Sequence, residues 1–225
     1  MPNDHSDNHS PVAQPATDPA TDKVAVPPDM HELPRVVRSA DVGRSRLFRI
    51  EELLLEFSNG VQRTYERLPA GGRQAIIVVA LDHDNNLQLI KEYAAGVHRY
   101  QLTLPKGTSE SGETLEQAAN RELREEIGLG ARRLTYLREL NLAPGHMGFT
   151  IHVILAQDLY PAPLQGDEPE ELQLVLWPLD AVEQLYDCTE FDEARAIAAL
   201  HLAVRRIVRG GPFTNTQTIP AIVNA

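Results

Sequence analysis

The sequence has a single cysteine, Cys188, so no intramolecular disulfide can form and a thiolate zinc cluster lacks ligands. An inert, partly buried thiol in a reducing cytoplasm fits this usage. Aromatic residues make up only 5% of the chain, so aliphatic side chains must build most of the core, for which a hydrophobic content of 42% is sufficient. Basic residues are also scarce: 21 Lys and Arg stand against 32 Asp and Glu, a net charge of −11. No positive field of this kind would attract a nucleic-acid backbone or an anionic membrane. A small phosphate-bearing substrate stays open, provided that metal ions or a few local Arg and Lys offset its charge. The longest apolar run, Ala75–Leu81, is far too short to cross a bilayer. No basic start leads into an apolar stretch at the N-terminus, so no signal peptide is expected.

What the chain does contain is one domain's worth of periodic sequence behind a polar tail. Residues 1–34 hold seven prolines and the low-complexity PATDPATD, without apolar periodicity, and read as a disordered acidic tail. Its histidines, His5 and His9, are too loosely held to make a metal site. Strands are expected at Leu47–Ile50, Leu53–Phe57 and Val61–Leu68, with Ser58-Asn59-Gly60 as the turn between the last two. Further strands are expected at Ala75–Leu81, Leu87–Tyr93, Tyr100–Leu104, Leu134–Leu142, Thr150–Leu155 and Leu172–Pro178. Helices are expected at Thr114–Ile127, near Leu179–Tyr186 and over Phe191–Arg209, and the last fifteen residues, 211–225, read as an extended tail. Strands mixed with two or three helices predict an α/β fold, an α/β/α sandwich around a mixed sheet.

The informative segment runs from Gly107 to Leu129. Thr114 with Gln117 is a capping-box pair, so a helix starts there, and Gly128 ends it. At about 100° per residue, Glu122, Glu125 and Glu126 project to the same side as Leu115, Ala118 and Ala119. Gln117, Asn120, Arg121 and Arg124 project to the other side, which is expected to be solvated. An Arg121–Glu125 pair suits an ordinary exposed face. Glu122 and Glu126, however, stand where the core should be. Partly buried carboxylates a turn apart raise each other's pKa, and a divalent cation compensates directly. Oxygen ligands alone suit Mg2+ or Mn2+ rather than zinc.

The segment matches G-x5-E-x7-R-E-U-x-E-E-x-G-U, U being aliphatic, at all nine fixed positions of 23 residues. On that pattern the chain resembles the Nudix hydrolases, metal-dependent enzymes that hydrolyse a nucleoside diphosphate joined to another group. The resemblance implies that Glu122, Glu125 and Glu126 hold divalent ions, with the Lys106 backbone carbonyl adding a ligand. It implies that Glu113 braces Arg121 and orients the site, with Gly107 and Gly128 as structural support. An acidic loop, Gly166-Asp167-Glu168-Pro169-Glu170-Glu171, is similar to the loop that supplies the general base. Alignment by eye makes Glu168 the base and Glu170 an extra metal contact; a plain solvated loop is the alternative reading of those residues.

Subfamily signals lie outside the box. Pro144 stands fifteen residues past Leu129, a spacing similar to that of ADP-ribose pyrophosphatases. The stretches RSRLF, LEFSNGVQRTYER, EYAAGVHRY, AANRELREEIGLGA, AQDLYP, GDEPE and WPL resemble the bacterial NudE-type ADP compounds hydrolases, a branch of the same family. This implies activity on diadenosine triphosphate, ADP-ribose and NADH with release of AMP. It also implies a homodimer in which the N-terminal strands, residues 35–68, help complete the substrate site of the catalytic domain, residues 69–210. One departure is Ala94, which follows Tyr93 where ADP-ribose pyrophosphatases carry a phosphate-binding arginine. Arg73 and Lys106 are the remaining candidates for that contact. Two other functions stay open: pyrophosphatase action on a different nucleoside diphosphate compound, and nucleotide sensing without cleavage.

Overall fold

The computed structural model describes residues 26–209. The expected disorder of residues 1–25, including His5 and His9, and the extended tail over 211–225 lie outside the described residues. Residues 26–34 carry neither helix nor strand.

Three strands come first: β1 (Arg35–Arg44), β2 (Arg49–Glu56) and β3 (Gln62–Arg67), forming an antiparallel sheet in that order. Gly60 takes φ +79 in the β2–β3 turn, a left-handed conformation that glycine adopts without a steric penalty. The two short strands expected at Leu47–Ile50 and Leu53–Phe57 are one, β2. The first strand, RVVRSADVGR, was not expected, because it has little apolar alternation and is exposed along most of its length. An edge strand needs only a partner's backbone, and cross-strand pairs such as Arg38–Glu52 at 2.6 Å supplement it.

The body contains β4 (Ala75–Ala80), β5 (Asn86–Ala94), β6 (Arg99–Thr103) and β7 (Lys106–Thr108), then helix α1 (Leu115–Glu126). After it come β8 (Leu129–Asn141), β9 (Thr150–Pro161) and β10 (Gln173–Pro178). A 3-10 turn (Leu179–Ala181), a short helix α2 (Val182–Tyr186) and helix α3 (Ala194–Arg209) complete the described chain. Two sheets form, β7-β4-β9-β8 and β10-β5-β6. The first is mixed: β4 runs parallel to β9, while β7 pairs antiparallel with β4 and β8 antiparallel with β9. The unbroken β-branched run at β4 is explained by burial on both faces. Ile76, Val78 and Ala80 pack with Leu115, Ala118, Ala119 and Leu123 of α1, whereas Ile77 and Val79 pack with Ala196, Ala199 and Leu200 of α3. The α/β fold with helices on both faces of a mixed sheet is therefore as expected.

Two boundary differences matter for the site. Strand β8 starts at Leu129 rather than Leu134, immediately after Gly128 turns the chain at φ +72. Strand β7 was not expected at all. Lys-Gly-Thr has no apolar pattern, and the segment is extended because Ile76 pairs with Gly107 across from β4.

The N-terminal sheet meets the body at a seam. Leu68 bridges Met147, its N–H donates to the His146 carbonyl at 2.9 Å, and the Gly148 N–H donates back at 2.8 Å. The seam loop is the one that carries Pro144.

Candidate active site

Helix α1 is capped as expected. The Thr114 hydroxyl accepts the Gln117 N–H at 3.2 Å, and the Gln117 side chain accepts the Thr114 N–H at 2.9 Å. The cap fixes the register of the glutamates against β7. The Lys106 N–H donates to Glu126 at 3.0 Å and the Thr108 N–H donates to Glu122 at 3.2 Å. Two carboxylates thus lie against strand backbone instead of in water.

Gly107, between those two donors, is required by space. A Cβ there would lie 2.1 Å from the Glu122 carboxyl carbon. Gly107→Ala is expected to leave a folded protein, because Glu122 is a flexible side chain that can swing away. The displaced carboxylate should lower turnover by about a hundredfold, on the order of 3 kcal/mol. Thermal melting beside kcat checks this, and an active Ala variant would show that Glu122 need not sit where it does.

Arg121 differs from the expected solvated side chain: only 18% of it is exposed. Its Nε and one terminal nitrogen bind the two oxygens of Glu113 at 2.9 and 3.0 Å. The other terminal nitrogen binds Glu122 and Glu125, both at 2.9 Å, and the Thr108 carbonyl takes the fifth hydrogen bond at 2.9 Å. Asn120 and Arg124 are likewise engaged, by the Ala131 N–H at 2.8 Å and the Ala162 carbonyl at 3.0 Å. A helical projection considers one helix by itself; here β7, β8 and the chain after β9 close over the face it assigned to solvent.

Electrostatics follows from this burial. The Glu126 carboxyl is pushed up to about 9, chiefly by desolvation, with Glu122 adding to the effect and Lys106 opposing it. Glu122 is raised by desolvation and partly restored by Arg121. Glu113 is lowered by its hydrogen bonds to Arg121. Among the described residues, no three His, Cys, Asp or Glu side chains form a preassembled metal cage, since Glu122 and Glu125 turn toward Arg121. The donor set nonetheless fits a hard divalent cation. It is all oxygen, and its two most buried carboxylates are held in the protonated direction by the lack of a compensating charge.

A cleft of about 660 Å3 runs beside the end of α1, lined by Glu122, Glu125, Glu126, Asp167, Glu168 and Glu170 among others. A second cleft, of about 340 Å3, adjoins it and shares Glu168 and Glu170 with Glu92, Tyr93 and Tyr100. The acidic loop thus stands opposite the glutamate helix. Glu168 is raised by desolvation first, then by Glu92 and Asp167. Glu170 accepts the Tyr100 hydroxyl. The Lys106 ammonium pairs with Glu92. Arg73 is exposed just ahead of β4 and lines neither cleft. Glu92 and Tyr100 had not been singled out. Glu92 stands beside Lys91 near the end of β5 with no pattern to set it apart, and Tyr100 is seventy residues from its partner.

The NUDIX domain profile matches residues 71–200, and the profile of the NudE-type Nudix hydrolase N-terminal domain matches residues 34–67. The chain belongs to the Nudix hydrolase family. Its Nudix box is the segment just described, from Gly107 to Leu129. The chain is 46% identical to the ADP compounds hydrolase NudE of Escherichia coli (strain K12) over 177 residues, 79% of this chain and 94% of that protein. An ADP-ribose pyrophosphatase of Bacillus subtilis (strain 168) is 28% identical, covering 65% of this chain and 79% of that protein. A crystal structure of an ADP compounds hydrolase superposes with a TM-score of 0.76 at 44% identity, covering 81% of this chain and 98% of that one. The two Nudix profiles meet at residues 68–70, at the Leu68 seam.

Proposed function

We propose that this Nudix hydrolase cleaves the diphosphate linkage of ADP-containing compounds such as ADP-ribose, NADH and diadenosine triphosphate, releasing AMP with Mg2+, or Mn2+, as the working ion. The observation that carries the reading is the pair of half-buried box carboxylates, Glu122 and Glu126, set against the β7 backbone beside a cleft large enough for a diphosphate. The activities for which its relatives are named support the substrate class. Glu122, Glu125, Glu126 and the Lys106 carbonyl would hold the ion, with Glu170 as a further contact. When bound, it offsets diphosphate charge and lowers the pKa of the attacking water.

The chain's own residues divide the remaining work. Arg121 orients Glu122 and Glu125, and Glu113 orients Arg121. Glu168, across the cleft, takes a proton from the attacking water as the phosphorus–oxygen bond breaks. Its desolvation supports that role, because a carboxyl raised above the ordinary range is a stronger base when ionised. Lys106, paired with Glu92 of the second cleft, is the candidate cation for a substrate phosphate, and Arg73, which lines neither cleft, is the weaker one.

The partner of this reading is a second copy. Val36, Val42, Leu47 and Phe48 of the N-terminal sheet and its hairpin are each about half exposed or more. Apolar exposure of that extent on one small sheet supports a homodimer interface. Among the described residues no helix is long and apolar enough to cross a membrane, and Cys188 is free. The cytoplasm is the compartment that suits both.

The test is AMP release over a panel of ADP-ribose, NADH and diadenosine triphosphate, with Mg2+ and with EDTA. Absence of turnover on every ADP compound favours a nucleotide sensor; release of a different product favours another nucleoside diphosphate substrate. Glu168→Gln should lower kcat by about a hundredfold while the half-saturating Mg2+ concentration stays within about twofold. An unchanged kcat moves the base elsewhere.

A further inference from the structure

The acidic loop lies between two well-anchored points. At its near end the Leu164 N–H donates to the Arg124 carbonyl at 2.9 Å, and Gly166 packs closely against the Glu125 carbonyl, where a Cβ would lie at 3.3 Å. At its far end β10 pairs with β5, starting with Gln173 opposite Lys91. Residues 166–171 between them form no helix or strand. A six-residue span of that kind samples several paths unless a side chain fixes it.

Tyr100 supplies such a fixation. Its hydroxyl donates to Oε1 of Glu170 in the middle of the span. The ring itself is carried by a paired strand. Tyr100 sits on β6, paired with Tyr93 of β5, and the two rings meet edge to face with centroids 5.7 Å apart. The Tyr93 hydroxyl is bonded in turn to Nδ1 of His98 in the β5–β6 turn. The chain of contacts runs from a two-stranded ladder through two rings to one loop carboxylate. Glu168, two residues away, lies where the two clefts join.

We propose that Tyr100 is a positioning residue for hydrolysis: its hydroxyl, held by Glu170, latches the acidic loop so that Glu168 stays at the junction of the two clefts. The proposal rests on the reading of Glu168 as the base. A base displaced by about 1 Å loses far more rate than binding, because proton transfer depends on contact distance. The latch therefore acts on kcat and leaves KM almost unchanged.

The experiment compares the full chain with Tyr100→Phe, Glu168→Gln and the double variant on ADP-ribose with Mg2+, together with hydrogen exchange of the amides of 166–171. Tyr100→Phe keeps the ring and its packing, so melting should shift little. Expected are a kcat lower by about tenfold, KM and half-saturating Mg2+ within about twofold, and faster exchange across 166–171. In the Glu168→Gln background the Tyr100 change should have no further effect on kcat. Unchanged exchange overturns the latch. A raised KM at constant kcat overturns it as well, by making Tyr100 a substrate contact. A shift confined to Mg2+ affinity assigns the bond to Glu170 ligation and likewise overturns it. An equal loss in both backgrounds overturns the route through Glu168. Full activity of Glu168→Gln by itself removes the base reading, and the exchange data then still decide whether the loop is latched.

Discussion

Glu126→Gln yields a folded protein with turnover lower by at least about a hundredfold, roughly 3 kcal/mol of transition-state stabilisation. The amide is nearly the same size as the carboxylate and can still accept the Lys106 N–H, so the contact at 3.0 Å survives. What is lost is a negative charge in a half-buried place, and only a cation-dependent reaction needs that charge there. The same substitution has a second readout in the metal-free protein. The folded Glu126 carboxyl lies at about 9, above its ordinary value of 4.5. A group raised on folding stabilises fully below its unfolded pKa, and that stability is lost as pH rises toward the folded one. Metal-free wild type should therefore lose stability between about pH 4.5 and 9, and Glu126→Gln should lose much less over that window. Saturating Mg2+ should flatten the slope over that window for wild type and leave the variant unmoved. Denaturant titrations at several pH values, with and without Mg2+, measure both. Near-normal kcat in the variant, or parallel pH profiles, would remove Glu126 from the cation site.

Arg121→Ala should be the most destabilising single change among the charged residues of the box. All five N–H donors of the guanidinium are used, on Glu113, Glu122, Glu125 and the Thr108 carbonyl. Its removal leaves three carboxylates facing one another in a partly desolvated place. Breaking a fully buried pair costs about 3–5 kcal/mol; with about a fifth of this side chain exposed, about 2–3 kcal/mol is expected. Turnover should fall by about a hundredfold or more, because Glu122 and Glu125 lose their orienting partner. Arg121→Lys is the informative control. It keeps the charge but offers three donors in place of five, and it cannot bind Glu113 through two nitrogens at once. Lys should recover part of the stability and little of the activity. Recovery of both would reduce Arg121 to a point charge, and the measurements are a urea midpoint and kcat for each variant.

The box was legible because its pattern is dense and local. Nine fixed positions lie in 23 residues, and the cap pair Thr114–Gln117 lies inside them. The projection of Glu122 and Glu126 toward the core was also legible, since helix periodicity is a property of the segment alone. Of the surroundings of Arg121, Glu113 was legible only through the family pattern, and the Thr108 carbonyl and the burial were not, because they reach Arg121 only through the fold of the loop before α1. Glu92 and Tyr100 were invisible for a similar reason: each acquires its meaning from a partner on a different element, Lys106 for one and Glu170 for the other. Strand β1 was missed because an exposed edge strand leaves almost no hydrophobic trace. Among the sheet strands, the buried β4 was the plainest, since both of its faces are apolar.

The parallel pairing of β4 with β9 sets a timetable for synthesis on the ribosome. Helix α1 ends at Glu126, but its apolar face packs on Ile154 and Ala156 as well as on Ile76 and Val78. Those two side chains emerge some thirty residues after the helix does. Until they arrive, Glu122 and Glu126 lack part of the burial that raises their carboxyls in the folded chain. Closure of this long-range pairing, which is slow because its partners are distant in sequence, is the event that takes Glu122 and Glu126 out of water.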